Sequence, residues 1–291
     1  MRNVSHLRTG RPGTPERTRP RRLLPSLALA LGLLGATPAP GADSTATAEG
    51  DTSLTAAVKR PEGQEVLPPV TQPFRAGESL KFSVSYGFIN AGAAYLEVPE
   101  VREWNGRPVY QLLARAESNR FFSGIYKVRN RIESFWDSAG HFSLRYAENR
   151  REGKHRAQSE IVFDYAKQEA RYHDGQTFPI PPEVQDALSS FYYTRTMALP
   201  LGGSVYFDYH ASRKSVPLEV KVLGREQIET PAGRFDCIVI EPLLKAGGIF
   251  KNKGRLVIWL TDDERRMPVL MKSKVLIGSI SATLVEMKPG A

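Results

Sequence analysis

From Phe74 onward, apolar and polar residues alternate with a period of two. In Glu78–Tyr86, Leu80, Phe82, Val84 and Tyr86 share one face, with Lys81 and three serines opposite. That is the pattern of a half-buried strand. Comparable runs predict strands at residues 93–98, 109–117, 126–136, 141–151, 155–165 and 169–173. A second series follows at 204–210, 218–228, 234–242, 255–260, 268–277 and 279–287. Turn chemistry lies between them: Asn105-Gly106, Ala139-Gly140, Gly153, Asp174-Gly175, Gly202-Gly203, Pro231-Ala232-Gly233, Gly247-Gly248 and Asp262-Asp263. Asn105-Gly106 is the strongest of these signals, because both central residues of a type I′ turn need positive φ. The fold class predicted is mainly β, an antiparallel curved sheet or incomplete β-barrel.

One segment departs from that period. Pro181-Pro182 suits a helix start, where a missing N–H costs nothing, and Glu183 and Asp186 suit the positive end of its dipole. Val184, Ala187, Leu188, Phe191 and Tyr192 then recur at helical spacing, until Leu199-Pro200-Leu201-Gly202 ends the pattern. This predicts a single mid-chain helix of about four turns, held inside the curve of the sheet.

The first 42 residues read as a signal peptide. Seven arginines and one acid, Glu16, occupy residues 1–22. The apolar run Leu23 to Ala36 follows, with small residues through Ala42. The run is shorter than the ~20 residues that span a bilayer, and no later segment is long enough, so no transmembrane span is expected after cleavage. Residues 43–73 have few large apolar groups and read as a flexible linker. Residues 74–288 then form a single β-rich domain. The formal charge of +9 changes meaning once this is seen, since the leader's net +6 leaves +3. A nucleic-acid partner is therefore not expected. The expected location is the periplasm. An outer-membrane barrel is disfavoured because Lys127, Arg129, Arg131 and Glu133 put four charges on one face of a single strand.

Candidate chemistry is sparse. No Gly-x-Ser-x-Gly elbow, His-Glu-x-x-His pair or phosphate-cradling loop is present. His141, His155, His173 and His210 are isolated along the chain, so no metal and no cofactor are expected. The single cysteine, Cys237, lies in an apolar strand and reads as a buried, inert thiol. The sequence thus points to a non-enzymatic protein. Two features stand out. Asn119 to Tyr126 crowds aromatic residues into a turn ahead of a charged strand bearing Arg129 and Arg131. Cross-strand pairing is expected to set those arginines and the Arg145, Arg150 and Arg151 of the next strand beside Glu133 and Glu148. The second feature is the helix with Phe191, Tyr192, Tyr193 and Arg195.

Three stretches carry a resemblance: Phe74-Arg75-Ala76-Gly77-Glu78-Ser79-Leu80-Lys81-Phe82, Phe122-Ser123-Gly124-Ile125-Tyr126-Lys127-Val128-Arg129-Asn130-Arg131-Ile132-Glu133-Ser134, and Thr230-Pro231-Ala232-Gly233-Arg234-Phe235-Asp236-Cys237. Together they resemble the bacterial envelope family known as domain of unknown function 3108, from residue 74 to the end. The resemblance implies an exported, β-rich bacterial protein and supplies no catalytic residues. The architecture is also similar to that of periplasmic lipoprotein carriers, with one helix in place of several. The function expected is binding of a lipid or other apolar-tailed envelope molecule. Tyr126, Arg129, Arg131, Phe191 and Tyr192 are the ligand-binding candidates, the helix lining a cavity and the arginines meeting an anionic head group. The alternative is an assembly or scaffolding factor that binds envelope proteins.

Overall fold

A computed structural model describes residues 72–244, 255–274 and 278–291. The leader, the linker up to residue 71 and the Gly247-Gly248 turn lie outside the described residues. Sixteen strands form one sheet. The first nine are β1 (Glu78–Tyr86), β2 (Ile89–Val98), β3 (Val101–Trp104), β4 (Arg107–Ser118), β5 (Val128–Asp137), β6 (Ser143–Glu152), β7 (His155–Asp164), β8 (Glu169–Tyr172) and β9 (Thr177–Pro179). The others are β10 (Val184–Gln185), β11 (Ser204–Ala211), β12 (Lys214–Thr230), β13 (Gly233–Leu244), β14 (Leu256–Thr261), β15 (Pro268–Lys274) and β16 (Ser279–Lys288). Nearly all neighbours in the sheet are also neighbours in sequence, because two-strand hairpins need only a tight turn. The β3–β4 hairpin turns at Asn105 and Gly106, with φ of 50° and 77°, as their chemistry requires. The exception to local pairing is β1 with β16, which zips the two chain-terminal strands together mid-sheet.

That long-range pairing curls the sheet. The two edge strands become β9 and β10, joined by residues 180–183. Fifteen strands laid flat would span about 65–70 Å, whereas the connection reaches at most about 17 Å. The edges must therefore approach each other. No ladder closes the gap, so the barrel is incomplete. Side chains bridge the seam instead. Tyr172 Oη bonds His210 Nε2 at 3.0 Å and accepts from the Arg213 backbone N–H at 2.8 Å. Arg213 also pairs with Asp174 at 2.5 Å.

The predicted helix is corrected in two respects. It runs only over α2 (Ser189–Thr196), and it is buried on all sides rather than along one stripe. Pro181-Pro182 instead leads into the two-residue β10, which pairs in parallel with β11. The segment before a proline favours extended backbone, and Asp186 sets the true start. Its carboxylate accepts from the backbone N–H groups of Leu188 and Ser189 at 2.7 and 2.8 Å and from Ser134 Oγ of β5 at 2.5 Å. Polar residues on the helix satisfy themselves locally, as Thr194 Oγ1 does by donating to the Ser190 carbonyl at 2.8 Å. A second helix, α1 (Arg120–Ile125), occupies the aromatic turn that follows β4.

α2 fills the space that a sheet of this width would leave open. Tyr192 packs edge-on to Phe74, centroids 4.9 Å apart, and Tyr193 packs on Phe207 at 5.1 Å. Burying each such ring stabilises the fold by about 1.5–3 kcal/mol. The far end of α2 is anchored by Arg195, whose two terminal nitrogens donate to both oxygens of Glu78 at 2.7 and 2.8 Å. Arg195 donates a third bond to the Arg265 carbonyl at 3.1 Å and lies over the Phe74 and Tyr192 rings.

An arginine-lined concavity on the outer face

Period two along β5 sends Val128, Asn130 and Ile132 inward and leaves Arg129 and Arg131 exposed. Register then decides their neighbours. Arg129 stands between Glu117 of β4 and Arg151 of β6, and Arg131 stands between Arg115 and Asn149. Two adjacent rows thus each carry a directly opposed Arg–Arg pair, which destabilises a sheet by about 0.2–1 kcal/mol. These residues, with Ala116, Glu117 and Asn130, line a shallow concavity of about 230 Å³.

The arginines differ in how far they are neutralised. Arg115 makes a bidentate pair with Glu97, both bonds 2.9 Å, and lies 4.5 Å from the Tyr95 ring centroid. The hydrogen bonds it donates to Glu97, against burial, raise its guanidinium pKa further. Arg131 reaches Glu133 at 3.0 Å, but Arg145 and Gln111 hold that same carboxylate at 3.0 and 2.6 Å. Burial alone would raise Glu133, yet the bonds from Gln111 and Arg145 outweigh it and hold the carboxyl below its ordinary range. Arg129 and Arg151 have no ion pair among the described residues. The expected neutralising network is therefore half present. Glu133 joins it, whereas Glu148 and Arg150 point into the barrel and face each other at 3.5 Å.

The candidate residues do not converge. Arg129 and Arg131 lie on the outer face, while Phe191 and Tyr192 are core residues at 9% and 0% exposure. Tyr126 ends α1 and packs under the β6–β7 turn, where a Cβ on Gly153 would lie 2.7 Å from its ring. The sheet itself separates the two halves of the expected ligand site. Parity along β5 would have exposed this, because Val128 and Ile132 claim the inner face.

Burial perturbs several titratable groups, among them Asp186, Glu148 and His210 within the barrel and Cys237 in a separate apolar cluster with Val239, Trp259, Val269 and Leu270. Burial pushes Asp186 above the usual carboxylate range despite the bonds from Ser134 and the Ser189 backbone. Glu148 is raised likewise by burial, even with Arg150 and Tyr146 beside it. Tyr146 Oη donates to Glu148 at 3.0 Å. Burial drives His210 down to about 4 and the Cys237 thiol up to about 12. Among the described residues, no cluster of three or more His, Cys, Asp or Glu is placed to hold a metal ion. No described helix is long and apolar enough to cross a membrane.

Solved structures with similar folds include a β-barrel-like protein of domain of unknown function DUF1849 from Brucella abortus. It has a TM-score of 0.46 and 8% identity, covering 73% of this chain and 97% of that one. A candidate lipoprotein from Parabacteroides distasonis gives a TM-score of 0.30 at 11% identity, with coverages of 75% and 99%. A candidate exported protein with YmcC-like fold from Bacteroides fragilis gives 0.31 at 14%, with 76% and 99%. No curated protein sequence matches the chain. The sequence profile of the protein family of unknown function DUF3108 matches residues 81–285, which is most of the β-domain, and the chain belongs to that family.

Proposed function

We propose that this chain is an exported, periplasmic, non-enzymatic binding protein whose outer face holds the anionic head group of an envelope molecule. The observation that carries this reading is the pair of opposed arginine rows, Arg129 with Arg151 and Arg131 with Arg115. An arrangement that weakens the sheet, with two guanidinium groups lacking carboxylate partners among the described residues, is suited to a phosphate or carboxylate bound in forked geometry. Export is supported by the Arg-rich leader and its short apolar run. Binding is favoured over catalysis because the perturbed acids, Asp186 and Glu148, are sealed in the core, and Asp186 is committed to capping α2. The apolar part of the ligand has no place beside Phe191 and Tyr192 in this reading, since both pack in the core.

The test is an NMR titration with glycerol 3-phosphate, a head group without a tail. Saturable shifts are expected at Arg129 and Arg151 and are expected to vanish in the R129Q/R151Q double variant. Shifts that persist in the variant, or never saturate, would refute the site.

A further inference from the structure

One end of the barrel combines exposed apolar side chains with a ring of cations. The β1–β2 turn presents Phe88, at 107% exposure, and Ile89 at 56%; α1 presents Phe121 at 68% and Ile125 at 61%. Large exposed apolar groups gathered at one place mark an interaction surface. The two tips form one platform. The Asn119 side chain caps α1 by accepting from the Phe122 N–H at 2.9 Å, and its amide donates to the Asn90 carbonyl at 2.7 Å. Phe122 is buried beneath. The β6–β7 turn abuts the same platform, Gly153 N–H donating to the Lys127 carbonyl at 2.7 Å.

The exposed charges around these three tips are Arg120, Lys127, Arg129, Arg151, Lys154 and Arg156, against Glu117 among the described residues. A protein-binding apolar patch has no need of a cationic surround of one sign. Apolar side chains rimmed by Lys and Arg match a bilayer surface, where rings enter the head-group boundary and cations meet lipid phosphates. We propose that this end of the barrel docks on an anionic phospholipid surface through Phe88, Ile89, Phe121 and Ile125. Docking shares Arg129 and Arg151 of its cationic rim with the head-group reading above, but its four apolar anchors lie outside the arginine concavity.

The test is co-flotation of the chain, expressed at full length so that leader processing is the same in every variant. The probes are vesicles of phosphatidylcholine with about 30% phosphatidylglycerol, and of phosphatidylcholine alone. The wild type is expected to float with the anionic vesicles at about 0.1 M salt and to release at about 0.5 M. F88S/F121S is expected to partition about tenfold less or weaker, and K127Q/K154Q several-fold less. Unchanged melting temperatures would show that these exposed substitutions spare the fold. Docking is overturned if the wild type does not float with the anionic vesicles, or if F88S/F121S floats like the wild type. It is also overturned if the apolar tips instead mediate self-association, seen as a vesicle-free dimer that F88S/F121S abolishes. If F88S/F121S loses the vesicles yet still binds glycerol 3-phosphate, docking and head-group binding are separable.

Discussion

The seam that nearly closes the barrel contains a histidine whose titration should be visible in the stability of the whole domain. His210 is 1% exposed. It is bonded to Tyr172 Oη at Nε2, and to Ser215 Oγ at Nδ1 at 2.8 Å. Burial lowers its pKa from the ordinary 6.5 to about 4. The folded state therefore holds the ring neutral in a range where the unfolded chain protonates it. Above pH 6.5 the effect is absent. As pH falls from 6.5 to about 4, the unfolded state gains a proton that the native state refuses, and stability drops. Each unit is about 1.4 kcal/mol, so the loss approaches 3 kcal/mol near pH 4.

Replacing His210 with Gln removes this proton linkage. It also leaves Tyr172 or Ser215 short of a partner, at about 1–3 kcal/mol near neutrality. Urea unfolding of both proteins between pH 4 and 8 isolates the histidine, because the raised Asp186 and Glu148 contribute equally to each and cancel in the difference. At pH 7.5 the wild type should be the more stable. The gap should narrow below pH 6.5 and close or reverse near pH 4. A pH-independent gap would refute the reasoning, since it would mean the ring protonates as readily in the fold as outside it.

Truncating Arg195 to Ala should cost about 3–5 kcal/mol in chemical denaturation, because Glu78 would remain buried without its bidentate partner. Replacing both Arg195 with Met and Glu78 with Leu should cost much less, and the double-mutant cycle reads the coupling. Gly92→Ala should destabilise by at least about 1–3 kcal/mol, since a Cβ there would stand 2.0 Å from the Glu117 carbonyl oxygen; a thermal melt suffices. Arg151→Gln should leave stability unchanged or raise it by a few tenths of a kcal/mol by relieving the opposed pair with Arg129, while weakening glycerol 3-phosphate binding.

Much of the fold was legible because hairpins are local. A turn such as Asn105-Gly106 sets the register of the strands it joins, and alternation sets their faces, so strand order along the chain predicts most of the sheet. Alternation also held information about the site that grouping by strand obscured. On β6, Arg145 and Arg151 share one parity while Glu148 and Arg150 share the other, so only the first two can join Arg129 and Arg131 outside. Phe121 and Phe122 were conspicuous in the sequence, but their opposite fates were not. One is pinned under α1 and the other left in solvent, a division made by the packing of α1 against β2 and β4.

What the chain alone determined, then, was the β-class, the turns and the sparse catalytic vocabulary, all of which depend on composition or on contacts a few residues apart. The curl of the sheet depended on β1 meeting β16 across the length of the domain. The short, wholly buried helix depended on Asp186 meeting Ser134 of β5. The separation of Phe191 and Tyr192 from Arg129 and Arg131 depended on which face of the sheet each occupies. These are contacts between residues distant in sequence, selected by the packing of the whole. No local pattern encodes them, because their free energy is gained only once the sheet has curled around its helix.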